Sequence, residues 1–196
     1  MDVITMRPDN SYLKRGVIDL CNELKAHDVK NIIEIGSYIG ESLSIFKEQL
    51  GNIDIITIDP FSNMPDKNDS LEGKNLTSAE VEFNKKTLWI SNYAKFKFES
   101  DEAHKFLRLG FFDLVYIDGL HTYEQVKKDI VNYLPLIKSN GIIAGHDFEI
   151  STTNEHKEFY NWKGNIKLRK EVSRAVRETI GEPDRVFEDS SWIKFL

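Results

Sequence analysis

Short apolar runs that alternate with longer stretches carrying apolar residues at three- and four-residue spacing constrain this chain more than any other feature. "NIIEIG" is too short a run for a helix, and after "SYIG" the residues Leu43, Phe46 and Leu50 form a helical stripe that stops at Gly51. "IDIITID" is a second run of the first kind and ends at Asp59-Pro60, where proline removes a ladder donor. Strand, helix and strand in that order predict a parallel pair joined by a right-handed crossover.

The alternation continues to the end of the chain. Thr77 with Glu80 suggests a capping box opening a helix to about Asn92, and "KFKF" predicts a third strand. Ser100 is the expected cap of a brief helix ending at Gly110, before a fourth strand in "FDLVYID". Val126, Ile130, Leu134 and Ile137 predict a helix from Tyr123 to about Ile137, kinked near Pro135, and "GIIAGHD" a fifth strand. A last helix ends at Gly181-Glu182-Pro183, and "RVFEDSSWIKFL" predicts two short strands around a turn at Asp189-Ser190. Ahead of all these, Leu13, Val17, Leu20 and Leu24 mark an amphipathic helix from about Ser11 to His27.

The expected fold is therefore α/β: a doubly wound, Rossmann-like, mostly parallel seven-stranded sheet with a C-terminal antiparallel hairpin and helices on both faces. A length of 196 residues needs only one core, so residues 1–196 are expected to form a single domain with an N-terminal helical segment over 1–30. Two polar stretches break the alternation, a loop from Phe61 to Leu76 and a segment from Glu149 to Asn165, and residues 149–166 are a candidate substrate lid. Tyr38, Tyr123, Phe148, Phe159, Tyr160 and Trp162 are candidates to line an acceptor pocket. Ligands of such sheets bind beyond the carboxyl ends of the strands, so Gly36, Asp59, Ser100, Asp118 and Asp147 should converge on one rim.

Charge narrows the partners. A net charge of -6 repels phosphate backbones, which counts against nucleic acid. The one dense basic stretch, "KLRKEVSRAVR", alternates with Val172, Ala175, Val176 and Ile180 and reads as the solvated face of an amphipathic helix. Cys21 is the sole cysteine, so neither a disulfide framework nor a thiolate zinc cluster is expected, and a cytoplasmic setting follows. The start of the chain lacks a signal-peptide pattern, and no apolar run approaches the roughly 20 residues of a membrane span.

In "EIGSYIGES" the glycines Gly36 and Gly40 lie four apart, with Tyr38 where G-x-G-x-x-G would carry its second glycine. That glycine lets the backbone approach a pyrophosphate, so its loss counts against NAD. Asp59, about 20 residues on, could accept hydrogen bonds from both hydroxyls of a ribose.

"EIGSYIGES", then Asp59, then "YIDGLHTYEQVKKDI" and "GIIAGHDF" resemble the class I methyltransferases that use S-adenosylmethionine. Within that superfamily the chain is most similar to the group of catechol-type and macrocin-type sugar O-methyltransferases. The likeness runs from about Asn31 onward and is weakest between Phe61 and Lys95. It implies that the Gly36-to-Gly40 turn, with Ser37 and Tyr38, wraps the methionine portion, and that Ser42 at the helix start holds its carboxylate. Glu34 would meet the amino group or order the turn, Asp59 would take the ribose, and Ser100 and Asp101 would lie near the exocyclic amine of adenine.

The macrocin-type pattern also pairs an aspartate-x-x-histidine step after the fourth strand with two adjacent polar residues after the fifth; Asp118 and His121 match the first, His146 and Asp147 the second. A histidine with an ordinary pKa near ~6.5 can deprotonate a hydroxyl at neutral pH, so His121 is the candidate general base. Asp118, grouped with both the cofactor and a metal, and Asp147 offer the hard oxygens that Mg²⁺ prefers. His146 stands where the pattern has an acid, and imidazole suits transition metals better. Three readings stay open: Mg²⁺ with more water, Mn²⁺ or a similar ion held partly by His146, or no metal.

The resemblance implies an O-methyltransferase acting on a small-molecule hydroxyl, a sugar or polyhydroxylated acceptor ahead of a catechol. The alternatives are an NAD-type oxidoreductase and a non-catalytic S-adenosylmethionine-binding protein. A homo-oligomer is open.

Overall fold

The computed structural model describes residues 11–62, 76–149 and 163–196. Seven strands form one sheet: β1 (Asn31–Ile35), β2 (Asp54–Ile58), β3 (Tyr93–Phe96), β4 (Phe112–Ile117), β5 (Ile137–Gly145), β6 (Arg185–Val186) and β7 (Trp192–Phe195). Their order is β3-β2-β1-β4-β5-β7-β6. The first five pair in parallel, while β7 runs antiparallel to both β5 and β6. The described residues also form six α-helices: α1 (Ser11–Leu24), α2 (Glu41–Leu50), α3 (Thr77–Lys86), α4 (Ser100–Ala103), α5 (Tyr123–Tyr133) and α6 (Lys163–Ile180).

Burial on both faces explains why the central strands are apolar without interruption. Ile32, Leu114, Tyr116, Ile142 and Ala144 point into the layer of α1, α2 and α3, with Leu20, Phe46 and Phe83. Ile33, Val115, Ile117 and Ile143 point the other way, to Val126 and Ile130 of α5 and to Val172 and Val176 of α6. Chain connections leave β1 and β4 in opposite directions, so the crevice for a ligand opens beyond their carboxyl ends.

Several local expectations shift. The Thr77–Glu80 capping box is absent: Leu76 occupies the cap, Thr77 is the first helical residue, and Glu80 pairs with Lys95 and Lys97. That helix stops at Lys86 rather than near Asn92. The third strand lies over Tyr93–Phe96, two residues earlier than "KFKF", because Tyr93 to Phe96 are in register with Ile55 to Ile58. Ser100 opens its helix behind the extended cap Glu99, and only one turn is α-helical before a 3-10 turn over His104–Phe106. A 3-10 turn over Leu134–Leu136, with Pro135 inside, ends the α5 region, so Ile137 starts β5 instead of finishing a helix. The proposed lid at 149–166 and the loop to Leu76 fall largely outside the described residues, as do Phe159, Tyr160 and Trp162. Among the described residues no helix is long and apolar enough to cross a membrane.

Candidate active site

Each residue that follows a parallel strand donates its backbone N–H to the last carbonyl of the neighbouring strand. Asp59 bonds to Phe96 at 3.1 Å, Gly36 to Ile58 at 2.9 Å, Asp118 to Ile35 at 2.8 Å and His146 to Ile117 at 3.0 Å. These bonds lay Asp59, Gly36, Asp118 and His146 side by side along one rim. Ser100 lies four residues beyond the end of β3.

At the glycine-rich turn, Gly36, Tyr38 and Gly40 all adopt left-handed backbone, with φ of 86°, 45° and 76°. Gly36 has no room for a side chain: a Cβ would stand 2.0 Å from the Asp118 carbonyl oxygen. Tyr38 takes the backbone conformation usual for glycine while its ring packs against the α1–α3 face. Asp59 holds the turn from below, its Oδ2 accepting from Ser37 N at 3.0 Å and Tyr38 N at 2.8 Å, and its Oδ1 from Phe61 N at 2.7 Å. Three of about four acceptor positions on this carboxylate are thus used by backbone. Burial raises its pKa, and the three N–H bonds oppose the rise.

Glu34 is fully buried beneath the same turn. One oxygen accepts from Ser42 Oγ and the other from Thr57 Oγ1 at 2.7 Å; Thr57 also meets Ser37 Oγ. These contacts order the turn, and they engage the Ser42 hydroxyl with Glu34. Burial, partly offset by the Ser42 and Thr57 bonds, pushes the Glu34 carboxyl up to about 7 from 4.5. The unfolded chain releases this proton near 4.5 and the folded chain near 7, so the stabilisation is complete below the lower value and is lost as pH rises to the upper. The loss is on the order of 3 kcal/mol. Asp129, buried and also pushed up to about 7, titrates over the same window with the same sign. Glu34→Gln is therefore expected to remove roughly half of the fall in urea-derived stability between pH 4.5 and 7. An unaltered slope would show that Glu34 is not the group involved.

Ser100 and Asp101 form a separate group with residues of α5. Ser100 Oγ donates to Asp129 Oδ1 at 2.6 Å, and Gln125 Nε2 reaches Ser100 Oγ, Asp101 Oδ1 and Asp129 Oδ1 at 3.0–3.1 Å. Lys128 pairs with Asp101, and Tyr133 donates to the Ser100 carbonyl. Glu99 lies between this group and the turn; burial raises its pKa first, followed by the charges of Asp59 and Asp101.

The residues that follow β4 and β5 gather around Asp147, whose own backbone is left-handed at φ 58°. His121 Nε2 lies 3.0 Å from Asp147 Oδ2 and 3.6 Å from Asp118 Oδ1. His146 turns its Nδ1 to Asp147 Oδ2 at 3.3 Å and its Nε2 to Asp189 Oδ2 at 3.8 Å. Burial would raise the Asp147 carboxyl, yet His146 and His121 hold it well below the usual carboxylate range. Asp118 moves the opposite way, raised chiefly by burial, although 29% of its side chain stays in contact with water. Burial opposes the His146 cation, but Asp147, Asp118 and Asp189 outweigh it and push its pKa up to about 9.

The sequence grouped His146 with the two aspartates as metal ligands. The structure gathers His121 there instead: one ligand atom each from Asp118, His121 and Asp147 lie within 4.8 Å of one another. Two carboxylates and an imidazole fit a divalent cation such as Mn²⁺ better than Mg²⁺, which prefers oxygen throughout. His146 lies between Asp147 at 3.3 Å and, at 3.8 Å, the carboxylate of Asp189, a residue 1% exposed that sequence reading assigned only to a turn. Thr57, Gln125, Asp129 and Arg169 were also missed. Arg169 Nε lies 3.6 Å from Asp147 Oδ1.

Residues 33–148 match a family described as a methyltransferase domain. Among solved structures, the chain is similar to a caffeoyl-CoA O-methyltransferase-like protein of Staphylococcus aureus, at 18% identity and a TM-score of 0.64, over 96% of this chain and 83% of that one. It is similar to an SAH-bound methyltransferase of Podospora anserina at 19% identity and 0.58, over 98% and 80%. The calicheamicin methyltransferase CalS11 aligns at 16% identity and 0.62, over 97% and 80%. At such identities the likeness is one of fold. An uncharacterized protein of Sinorhizobium fredii is 23% identical over 147 residues, 73% of this chain, which spans only 16% of that protein's length.

Proposed function

The chain belongs to the methyltransferase domain family, and from that premise we propose that it transfers a methyl group from S-adenosylmethionine to a hydroxyl of a small molecule, a sugar or other polyhydroxylated compound. The observation that carries this reading is the convergence of Asp118, His121 and Asp147 within 4.8 Å, the first two on a loop whose backbone abuts the Gly36 turn. A cofactor cradled at that turn would present its sulfonium methyl toward these three side chains.

In the transfer, the acceptor oxygen forms a bond to the methyl carbon as the carbon–sulfur bond breaks and its electron pair returns to sulfur. The hydroxyl proton has to leave as the oxygen attacks. Asp147 Oδ2, 3.0 Å from His121 Nε2, would stabilise the imidazolium that forms once His121 has taken this proton. Asp118, Asp147 and His121 Nε2 would alternatively hold a divalent cation, which when bound lowers the pKa of the acceptor hydroxyl. The two arrangements use the same His121 atom differently and can be separated by experiment.

Labelled S-adenosylmethionine, incubated with a panel of sugars, sugar nucleotides and catechols in the presence of Mg²⁺, Mn²⁺ or EDTA, is expected to label a hydroxylated acceptor. Calorimetric titration is expected to show binding of S-adenosylmethionine and none of NAD(H). Binding of NAD(H) alone would replace this reading with the oxidoreductase one, and cofactor binding without transfer to any acceptor would favour a non-catalytic protein.

A further inference from the structure

The basic stretch of α6 is not uniformly solvated. Arg174 is exposed and stacks on Tyr123, whereas Arg169 is 7% exposed and Ser173 is fully buried. Arg169, Ser173 and Arg177 recur four residues apart, so they form one stripe along the helix. That stripe tracks the segment that follows β5. Arg169 faces Asp147, Ser173 Oγ accepts the Glu149 N–H at 2.7 Å, and Arg177 covers the Phe148 ring at 4.8 Å while pairing with Glu149 at 2.8 Å. Asp147 sits at one end of this clasp in a left-handed conformation that is unfavourable for a residue with a side chain, so its position depends on what grips it. The two histidines share its Oδ2, and the Arg169 guanidinium stands 3.6 Å from Oδ1, an ion-pair distance.

We propose that Arg169 is a positioning residue that fixes the Asp147 carboxylate on the oxygen the histidines leave open and competes there with a divalent cation. The inference rests on the reading of Asp118, His121 and Asp147 as the reactive cluster. A guanidinium beside one of three prospective ligands repels an entering cation and neutralises a charge that the cation would otherwise meet. The intrinsic cation affinity of the cluster is thereby held down, and the neutralisation of Asp147 is supplied by the fold itself.

Mn²⁺ binding to the full chain, followed by the electron paramagnetic resonance of the free ion, tests this without any acceptor. Arg169→Gln and Arg169→Met are expected to bind Mn²⁺ at least about tenfold more tightly than the wild type, the scale set by removing a like charge a few ångströms away. Arg169→Lys, which restores the charge, should return the affinity toward the wild-type value, and Asp118→Asn should abolish binding in every background. Unchanged or weaker binding in both neutral variants, with Asp118→Asn still abolishing it, overturns the role of Arg169 and leaves the cluster standing. Mn²⁺ binding indifferent to Asp118→Asn removes the cluster and the proposal together, and no binding by any variant overturns the proposal. Should the neutral variants not fold, the Nε–H resonance of Arg169 in the wild type, identified by its loss in Arg169→Lys, is expected to shift on titration with Mg²⁺; a resonance that stays fixed overturns the proposal.

Discussion

Gly36→Ala is expected to abolish S-adenosylmethionine binding and to destabilise the fold by about 3–5 kcal/mol, combining left-handed strain with overpacking. The methyl group would lie 2.0 Å from the carbonyl oxygen of Asp118 and 2.5 Å from its carbon, both backbone atoms of the neighbouring strand end. Neither can give way without moving the loop that carries Asp118 and His121. Two other glycines calibrate the effect. At Gly40, with φ of 76°, the nearest atom to an added Cβ is a side-chain methyl of Thr87 at 3.0 Å, so Gly40→Ala should cost clearly less. Gly51 has φ of 72° and nothing within 4 Å, so Gly51→Ala should cost only the backbone strain, about 1–3 kcal/mol, with no overpacking added. Thermal unfolding and calorimetric titration of the three variants give the order. Equal losses at Gly36 and Gly51 would mean that close approach to Asp118 is not what the first glycine serves.

His121→Ala is expected to lower methyl transfer about 10²- to 10⁴-fold, the usual contribution of a placed general base, with cofactor affinity within a few-fold of wild type. The contrast follows from geometry: His121 contacts Asp118 and Asp147, whereas the turn is held by Asp59 and Glu34. Added imidazole should restore part of the activity if His121 accepts the proton, and should restore none if its Nε2 serves as a ligand. EDTA distinguishes the two in the wild type. Activity of His121→Ala within about fivefold of wild type would remove His121 from the chemistry.

The central strands were legible because continuous β-branched runs have no stable alternative once helices cover both faces. β3 was harder to place, since "KFKF" alternates well while the register of Tyr93 against Ile55 decides where pairing begins. At Ser100, a cap-forming residue sits one position late and turns its hydroxyl to Asp129, a partner in a helix 29 residues on that spacing cannot reveal. The two polar steps after the fourth and fifth strands could be located from sequence, yet the pairing of histidines with aspartates could not. It depends on the left-handed backbone of Asp147 and on the placing of His146 between Asp147 and Asp189. Arg169 did leave a signal: it stands three, four and seven residues before Val172, Ser173 and Val176, on the buried stripe rather than beside it. A charge inside an apolar stripe marks a partner to be found.

The segment that follows β5 is also braced from the C-terminal hairpin. Trp192 Nε1 donates to the His146 carbonyl at 3.3 Å, Phe148 N donates to the Ser190 carbonyl at 3.0 Å, and β7 lies against β5 with Trp192 opposite Gly145. The brace is made 46 positions after the residue that it supports. During synthesis the glycine-rich turn and the first parallel strands therefore have their partners well before His146 and Asp147 have theirs. A nascent chain passes through a stage in which the glycine-rich turn is formed while the loop carrying His146 and Asp147 is still unlatched, and the cluster of Asp118, His121 and Asp147 is among the last features that the fold completes.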